Sequence, residues 1–231
     1  MSLARCVQPE WLDVLDPGDP RASRSRRDLQ RVNRVMGNAS ILTHALRKAQ
    51  APGPRLIVEL GAGDGTLLLR VVQRPALRWQ GGTIIFVDRQ SIVSKSTREA
   101  FNALGWAVDT AEADVLTWLQ HAAPGSIDLM LANLFLHHFH APQLTALLAS
   151  AAARADLFVA CEPRRSYGAI AGSFLLGAIG CNDVSRHDAV ISVRAGFADR
   201  ELSTLWPASS LHRLEEYAAG LFSHCFVAQR T

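Results

Sequence analysis

The chain predicts an α/β domain in which a mostly parallel sheet is covered by helices on both faces, with a helical cap at its N-terminal side. Three observations carry that prediction. From residue 56 onward, short apolar runs alternate with helical stretches, the pattern of a parallel sheet buried on both sides. The first of these runs leads into a glycine-rich turn, Gly61-Ala62-Gly63-Asp64-Gly65. The last two, Leu211–Ala218 and Leu221–Gln229, flank Ala219-Gly220 and suggest a closing antiparallel hairpin.

Before the sheet, Asp16-Pro17-Gly18-Asp19-Pro20 is dense turn chemistry. Ser23–Met36 then turns helical, with Leu29, Val32, Val35 and Met36 at three- and four-residue spacings. Gly37-Asn38 reads as its C-cap, and Ser40 starts a second helix through Leu46. Ala51-Pro52-Gly53-Pro54 breaks the chain. The expected division is therefore an arm and helical lid over 1–50 and a main domain over 51–231. Within the main domain the expected strands are Leu56–Leu60, Thr83–Val87, Trp106–Ala111, Ile127–Ala132 and Leu157–Ala160. Helices are expected through Val72, over Ser94–Leu104, over Val115–His121 and over Ala141–Ala153.

Composition narrows the function classes. With 231 residues, 48% hydrophobic and 19% charged, the chain can bury a full core. Its net charge of +3 is too small to imply nucleic acid by itself. Arg21, Arg24, Arg26, Arg27, Arg31 and Arg34 nevertheless crowd one segment, either as a solvated helix face or as a guide for an anionic substrate. Four scattered cysteines without a Cys-x-x-Cys pair argue against a zinc ribbon and a disulfide framework. The longest apolar candidate for a membrane span, Ala169–Cys181, is too short and too rich in Gly and Ala. Residues 1–10 lack the basic start and apolar middle of a secretion signal, so a cytoplasmic protein is expected.

A glycine turn between strand and helix can be purely structural, but it also lets a ligand approach the backbone. Glu59, just before it, discriminates among ligands. A carboxylate there repels a pyrophosphate and attracts a sulfonium or ammonium group. The third glycine falls at Gly65, one residue earlier than a dinucleotide fingerprint requires, with Thr66 in its place. Both departures favour S-adenosylmethionine over NAD. No Gly-Lys-Ser/Thr follows, which excludes a Walker phosphate loop. Asp88, at the end of the second strand, can accept both ribose hydroxyls, or it can be a solvent-facing strand end. Ile92 and Val93 can pack on adenine, and Asp114 can accept the adenine amino proton or cap the helix that follows.

At these positions the chain resembles the class I S-adenosylmethionine-dependent methyltransferases, over about Leu56 to Glu162. Ile57-Val58-Glu59-Leu60-Gly61-Ala62-Gly63-Asp64-Gly65 resembles the family's first motif, and Phe86-Val87-Asp88 its second. Glu112-Ala113-Asp114-Val115 is similar to the adenine-contacting motif. Ile127 through Phe139, with Asn133, Leu136, His137 and His138, resembles the fourth-strand motif of the small-molecule branch, which includes quinone-type enzymes. The resemblance implies a Rossmann-like seven-stranded sheet and a donor site at Glu59, Gly61, Gly63, Asp88 and Asp114. Gly65, Arg89, Val93, Val115 and Asn133 are expected beside them. Arg89 stands where an apolar residue is commoner. Asn133 is not followed by the Pro-Pro-Tyr that similar enzymes use on planar nitrogens, which weakens a nucleic-acid acceptor.

The methyl acceptor's side is expected at His137, His138 and His140, just past the fourth strand, where ligands bind in such sheets. His137 or His138 is the expected general base, His137 first, because histidine titrates near neutrality. No acidic or cysteine partner stands at ligand spacing in the sequence, so no metal is expected. Arg164 or Arg165 either holds an acidic acceptor or makes an ion pair. Leu29, Val32 and Met36 either join the core or face the substrate. The expected activity is methylation of a small phenolic, quinone-like or polyketide-like hydroxyl compound. The alternatives are RNA or protein methylation through the arginines, and an inactive partner subunit that only binds cofactor.

Overall fold

The computed structural model describes residues 3–16, 18–50, 53–121 and 127–231. Seven strands form one sheet: β1 (Leu56–Leu60), β2 (Gly82–Asp88), β3 (Trp106–Glu112), β4 (Ile127–Asn133), β5 (Ala155–Pro163), β6 (His212–Ala219) and β7 (Ser223–Arg230). Their order is β3-β2-β1-β4-β5-β7-β6. Strands β1 to β5 run parallel, and β7 lies antiparallel between β5 and β6. The chain reverses its direction of travel across the sheet between β1 and β4, and the crevice beyond their carboxyl ends is where open α/β sheets bind ligands.

The helices are α1 (Trp11–Val14), α2 (Pro20–Met36), α3 (Asn38–Lys48), α4 (Thr66–Val72), α5 (Lys95–Asn102), α6 (Val115–His121), α7 (Ala141–Arg154), α8 (Tyr167–Phe174), α9 (Asp183–Ala195) and α10 (Glu201–Leu205). Alternation along β4 shows how the sheet feeds two cores. Leu129 and Leu131 pack with Leu42, Leu46, Leu68 and Phe101 of α3, α4 and α5. Met130 and Ala132 pack with Leu119, Leu144, Leu148 and Leu202 of α6, α7 and α10.

The expected strands and the hairpin are present, and the helix ends follow their caps. Gly37, at φ 71°, closes α2 with its N–H on Arg34, and Asp114 accepts from Leu116 and Thr117 N–H at the start of α6. The division at residue 50 needs correction. Ala51 and Pro52 lie outside the described residues, but α3 is no part of a lid. Its Leu42, Ala45 and Leu46 are 2%, 1% and 0% exposed and join the core on one face of the sheet, so α3 packs with the main domain.

A second cover comes from the segment between β5 and β6, where sequence periodicity defines no element. Helix α9 meets both α1 and α2 there. Asp28 of α2 accepts from Asn182 N–H at 2.8 Å and from Ser185 Oγ. Asp188 of α9 accepts from Trp11 and Leu12 N–H at 2.8 and 3.0 Å. The Trp11 and His187 rings stack with centroids 3.7 Å apart.

Candidate functional site

A cavity of about 680 Å³ lies over the carboxyl ends of β1 and β4, beneath α2, α8 and α9. That volume lies within the 300–1,000 Å³ of ordinary small-molecule sites. One end is polar and is built from the glycine turn. Gly61 takes φ 65° and donates its N–H to Val87 O at 2.8 Å. A Cβ there would run into the Phe135 ring. Gly63, at φ 56°, opens onto free space: a Cβ there would meet nothing within 4 Å. Its N–H donates to Asp88 Oδ2 at 2.9 Å, which ties the turn to the end of β2.

Glu59 is 4% exposed and lines this end. Its Oε2 has no hydrogen-bond partner, and among the described residues it is the one such buried side-chain atom on the cavity wall. Burial, reinforced by the nearby Asp64 and Asp88 charges, pushes its carboxyl well above the usual carboxylate range. An orphaned carboxylate among two more is a poor place for phosphate and a fitting one for a cation.

Residues 57–155 match the family profile described as a methyltransferase domain. Over that stretch, less than half of its length, the chain is similar to a methyltransferase domain. Solved structures agree on the fold. The plantazolicin methyltransferase BpumL, in complex with S-adenosylhomocysteine (SAH), superposes with a TM-score of 0.63 at 14% identity, covering 93% of this chain and 92% of that one. The magnesium protoporphyrin IX methyltransferase of Synechocystis PCC 6803, also with bound SAH, gives 0.57 at 14%, covering 90% and 94%. An O-methyltransferase family protein from Burkholderia thailandensis gives 0.60 at 17%; 93% of this chain is covered but only 61% of that one, so this chain spans less than two thirds of its length. No curated protein matches the chain in sequence. Class I methyltransferases draw their methyl group from S-adenosylmethionine. The unpartnered Glu59 oxygen and the open space at Gly63 fit that donor.

Around this polar end, Gly61, Gly63, Asp88, Arg89, Asp114, Val115 and Asn133 all line the cavity. Asp88 already accepts from Gly63 and Gln90 N–H, which leaves lone pairs for a ribose. Asp114 holds an ion pair to Arg89 at 2.7 Å, and that guanidinium keeps its carboxyl below the usual range. Two expected residues are not on the wall. Gly65 is required by packing, since a Cβ there would come 2.9 Å from the Phe86 ring. Val93 is half-buried against the core cluster that includes Phe101 of α5, and Ile92 stands on the wall.

The other end departs further from expectation. His137 is 2% exposed. Its Nδ1 bonds Glu162 Oε2 at 2.8 Å and its Nε2 faces Glu10 Oε1 at 3.3 Å. Burial disfavours its charged form, but the hydrogen bonds and charges of Glu10 and Glu162 outweigh burial and raise its pKa to about 9. With both ring nitrogens engaged by carboxylates, His137 presents no free nitrogen to an acceptor's proton in this arrangement. His138 keeps about a quarter of its side chain exposed, with Nδ1 3.4 Å from Asp13 Oδ2. Both histidines line the cavity.

Arg164 does not line the cavity, nor does Arg165. Arg165 is buried and pairs with Glu201 while donating to Leu3 O and Gly196 O. Leu29, Val32 and Met36 do line it. Sequence spacing around His137 contains no acid, yet Glu10 supplies one across the fold. Glu10, His137 and His138 place possible ligand atoms within 4.8 Å of one another, although Glu10 and His137 already bond each other and Glu10 also accepts from Ser192 Oγ. No signal in the sequence links residue 10 to residue 137.

Proposed function

We propose that the chain is an S-adenosylmethionine-dependent methyltransferase acting on a hydroxyl of a small, largely apolar acceptor of phenolic, quinone-like or polyketide-like kind. The observation that carries this reading is that one cavity joins the Glu59–glycine-turn end to an apolar wall of Leu29, Val32, Met36, Leu176 and Phe222. S-adenosylmethionine, when bound, supplies a methyl group on a positively charged sulfur that an oxygen nucleophile can take directly. Glu59 and Asp88 bind and orient that donor by charge and by accepting its hydroxyls. Helices α2 and α9 exclude water from the line of attack. His138, on the cavity wall with Asp13 nearby, takes the acceptor's proton.

A polymer acceptor gathers less support, because the cavity wall carries no lysine and no arginine beyond Arg26 and Arg89 among the described residues. Arg21 pairs with Asp19 and Arg31 with Asp28, while Arg24 donates to Gly180 O and Arg26 to Gln90.

Calorimetric titration with SAH and with NAD tests the donor, and a radiolabelled-methyl assay over a panel of phenols tests the acceptor. SAH should bind and NAD should not. His138→Ala should lower the rate by roughly 10²–10⁴ with SAH affinity unchanged. Tight NAD binding without a response to SAH would overturn the reading.

A further inference from the structure

Several exposed apolar side chains stand in one short segment beside the cavity. From Tyr167 to Gly180 the chain carries no charged side chain. It forms α8 and a 3-10 turn, Leu175–Ile179. Tyr167, Phe174 and Leu175 are 66%, 67% and 69% exposed, with Ala171 and Ala178 exposed between and beyond them at helical spacing. Ala169, Gly172, Ser173, Leu176 and Ile179 of the same segment line the cavity, and Leu175 stands at its mouth, both exposed and on the lining. Such a continuous apolar patch is costly in water and marks a contact surface.

A basic rim flanks it. Arg24 donates to Gly180 O at 3.3 Å, Asn182 Nδ2 donates to Arg21 O, and the Arg186 side chain lies 3.3 Å from where a Cβ on Gly177 would stand. Arg21, Arg24, Arg27 and Arg186 are exposed; the acids among them are Asp19, paired with Arg21, and Asp183. No helix among the described residues is long and apolar enough to cross a membrane. We propose that the outward face of α8 and the following 3-10 turn lies on an anionic lipid surface, so that apolar acceptors enter the cavity from the bilayer. A protein partner would need directional groups to fix its register, and the Tyr167 hydroxyl is the one such side chain on this face. Tyrosine suits a lipid interface, and basic residues beside an apolar face draw it to anionic lipid. Delivery of the acceptor rests on the methyltransferase reading. Docking does not, so either can fail alone.

Co-sedimentation with vesicles of phosphatidylcholine, with and without about one third phosphatidylglycerol, tests it. Binding to the anionic vesicles should be at least roughly tenfold tighter than to neutral ones and should weaken as salt rises. Phe174→Glu should cut it by about tenfold or more, and Arg186→Glu by about fivefold on anionic vesicles only. Both variants should bind SAH like the parent, which confirms that they fold. Absence of vesicle binding, or equal binding by Phe174→Glu, would overturn the proposal. So would a Phe174-dependent association between copies, or with an added protein, in place of vesicle binding.

Discussion

On the glycine-turn rim, Glu59, Gly61, Gly63 and Asp64 arrive in one strand-turn-helix passage, and Asp88 ends the very next strand. On the opposite rim, Glu10, His137 and Glu162 meet around one imidazole from three distant places, and Asp188 captures α1 from more than 170 residues away. The first rim is a backbone conformation, which glycines and strand ends dictate locally. The second is a set of side-chain pairings that exists only after the sheet, the arm and the α8–α9 segment have come together. Cofactor affinity should therefore depend on the sheet, and site closure on those pairings.

Truncation separates the two most strongly. A chain beginning at residue 51 loses α3 and with it Leu42 and Leu46, both buried. Emptying a buried leucine site costs about 2–5 kcal/mol, and losing the whole helix removes several such sites against a total stability of about 5–15 kcal/mol. That chain should not fold. A chain beginning at Gly37 keeps α3, so it should fold and bind SAH while losing methyl transfer. Circular dichroism melts and SAH titration distinguish the outcomes. A folded, SAH-binding chain from residue 51 would return α3 to the lid.

The same contrast explains what was legible in advance. The five parallel strands, the hairpin and the caps at Gly37 and Asp114 follow from period and turn chemistry. The donor-site expectation comes from a motif whose residues are near neighbours in sequence. The α8–α9 segment was not readable, because α9 mixes Ser185, Asp188 and Ser192 with apolar residues and buries polar groups against Asp28 and Glu10. A helix that spends its polar residues inside leaves no clean apolar stripe. The surroundings of His137 are hidden from the sequence for the same reason. Near-neutral titration is a property of the free side chain, and two carboxylates remote in sequence remove it.

The imidazole clamp gives the next largest effect. Replacing His137 with Ala leaves Glu10 and Glu162 buried without their shared cation, which costs roughly 3–5 kcal/mol. Because its folded pKa of about 9 lies above an unfolded value near 6.5, its contribution is full below about pH 6.5 and is lost as pH rises through 9. Urea denaturation of the intact protein should therefore show stability falling across that window. His137→Ala should lack that fall. An unchanged slope in the variant would assign the titration elsewhere.

Glu59 offers the smallest effect and the sharpest one, because it should improve stability while harming function. Its carboxyl is buried, its Oε2 has no partner, and its folded pKa is raised. A raised carboxyl pKa means that stability is lost as pH climbs from the unfolded value toward the folded one. The ligand-free protein at neutral pH thus carries the cost of an unpaired buried acid. Glu59→Gln keeps the shape and removes the titration, so it should stabilise the ligand-free protein by about 1–2 kcal/mol, within the cost of an unsatisfied buried group. A domain of this size should then melt about 2–8 °C higher. The same change removes the negative charge from the donor site, so the affinity for S-adenosylmethionine should drop by roughly tenfold. SAH, which lacks the sulfonium charge, should lose less. Calorimetry with both ligands, beside a thermal melt, reads all three quantities. Equal losses for the two ligands would show that Glu59 does not sense the sulfonium. A lower melting temperature would show that its carboxyl supports the turn instead of waiting for a cation.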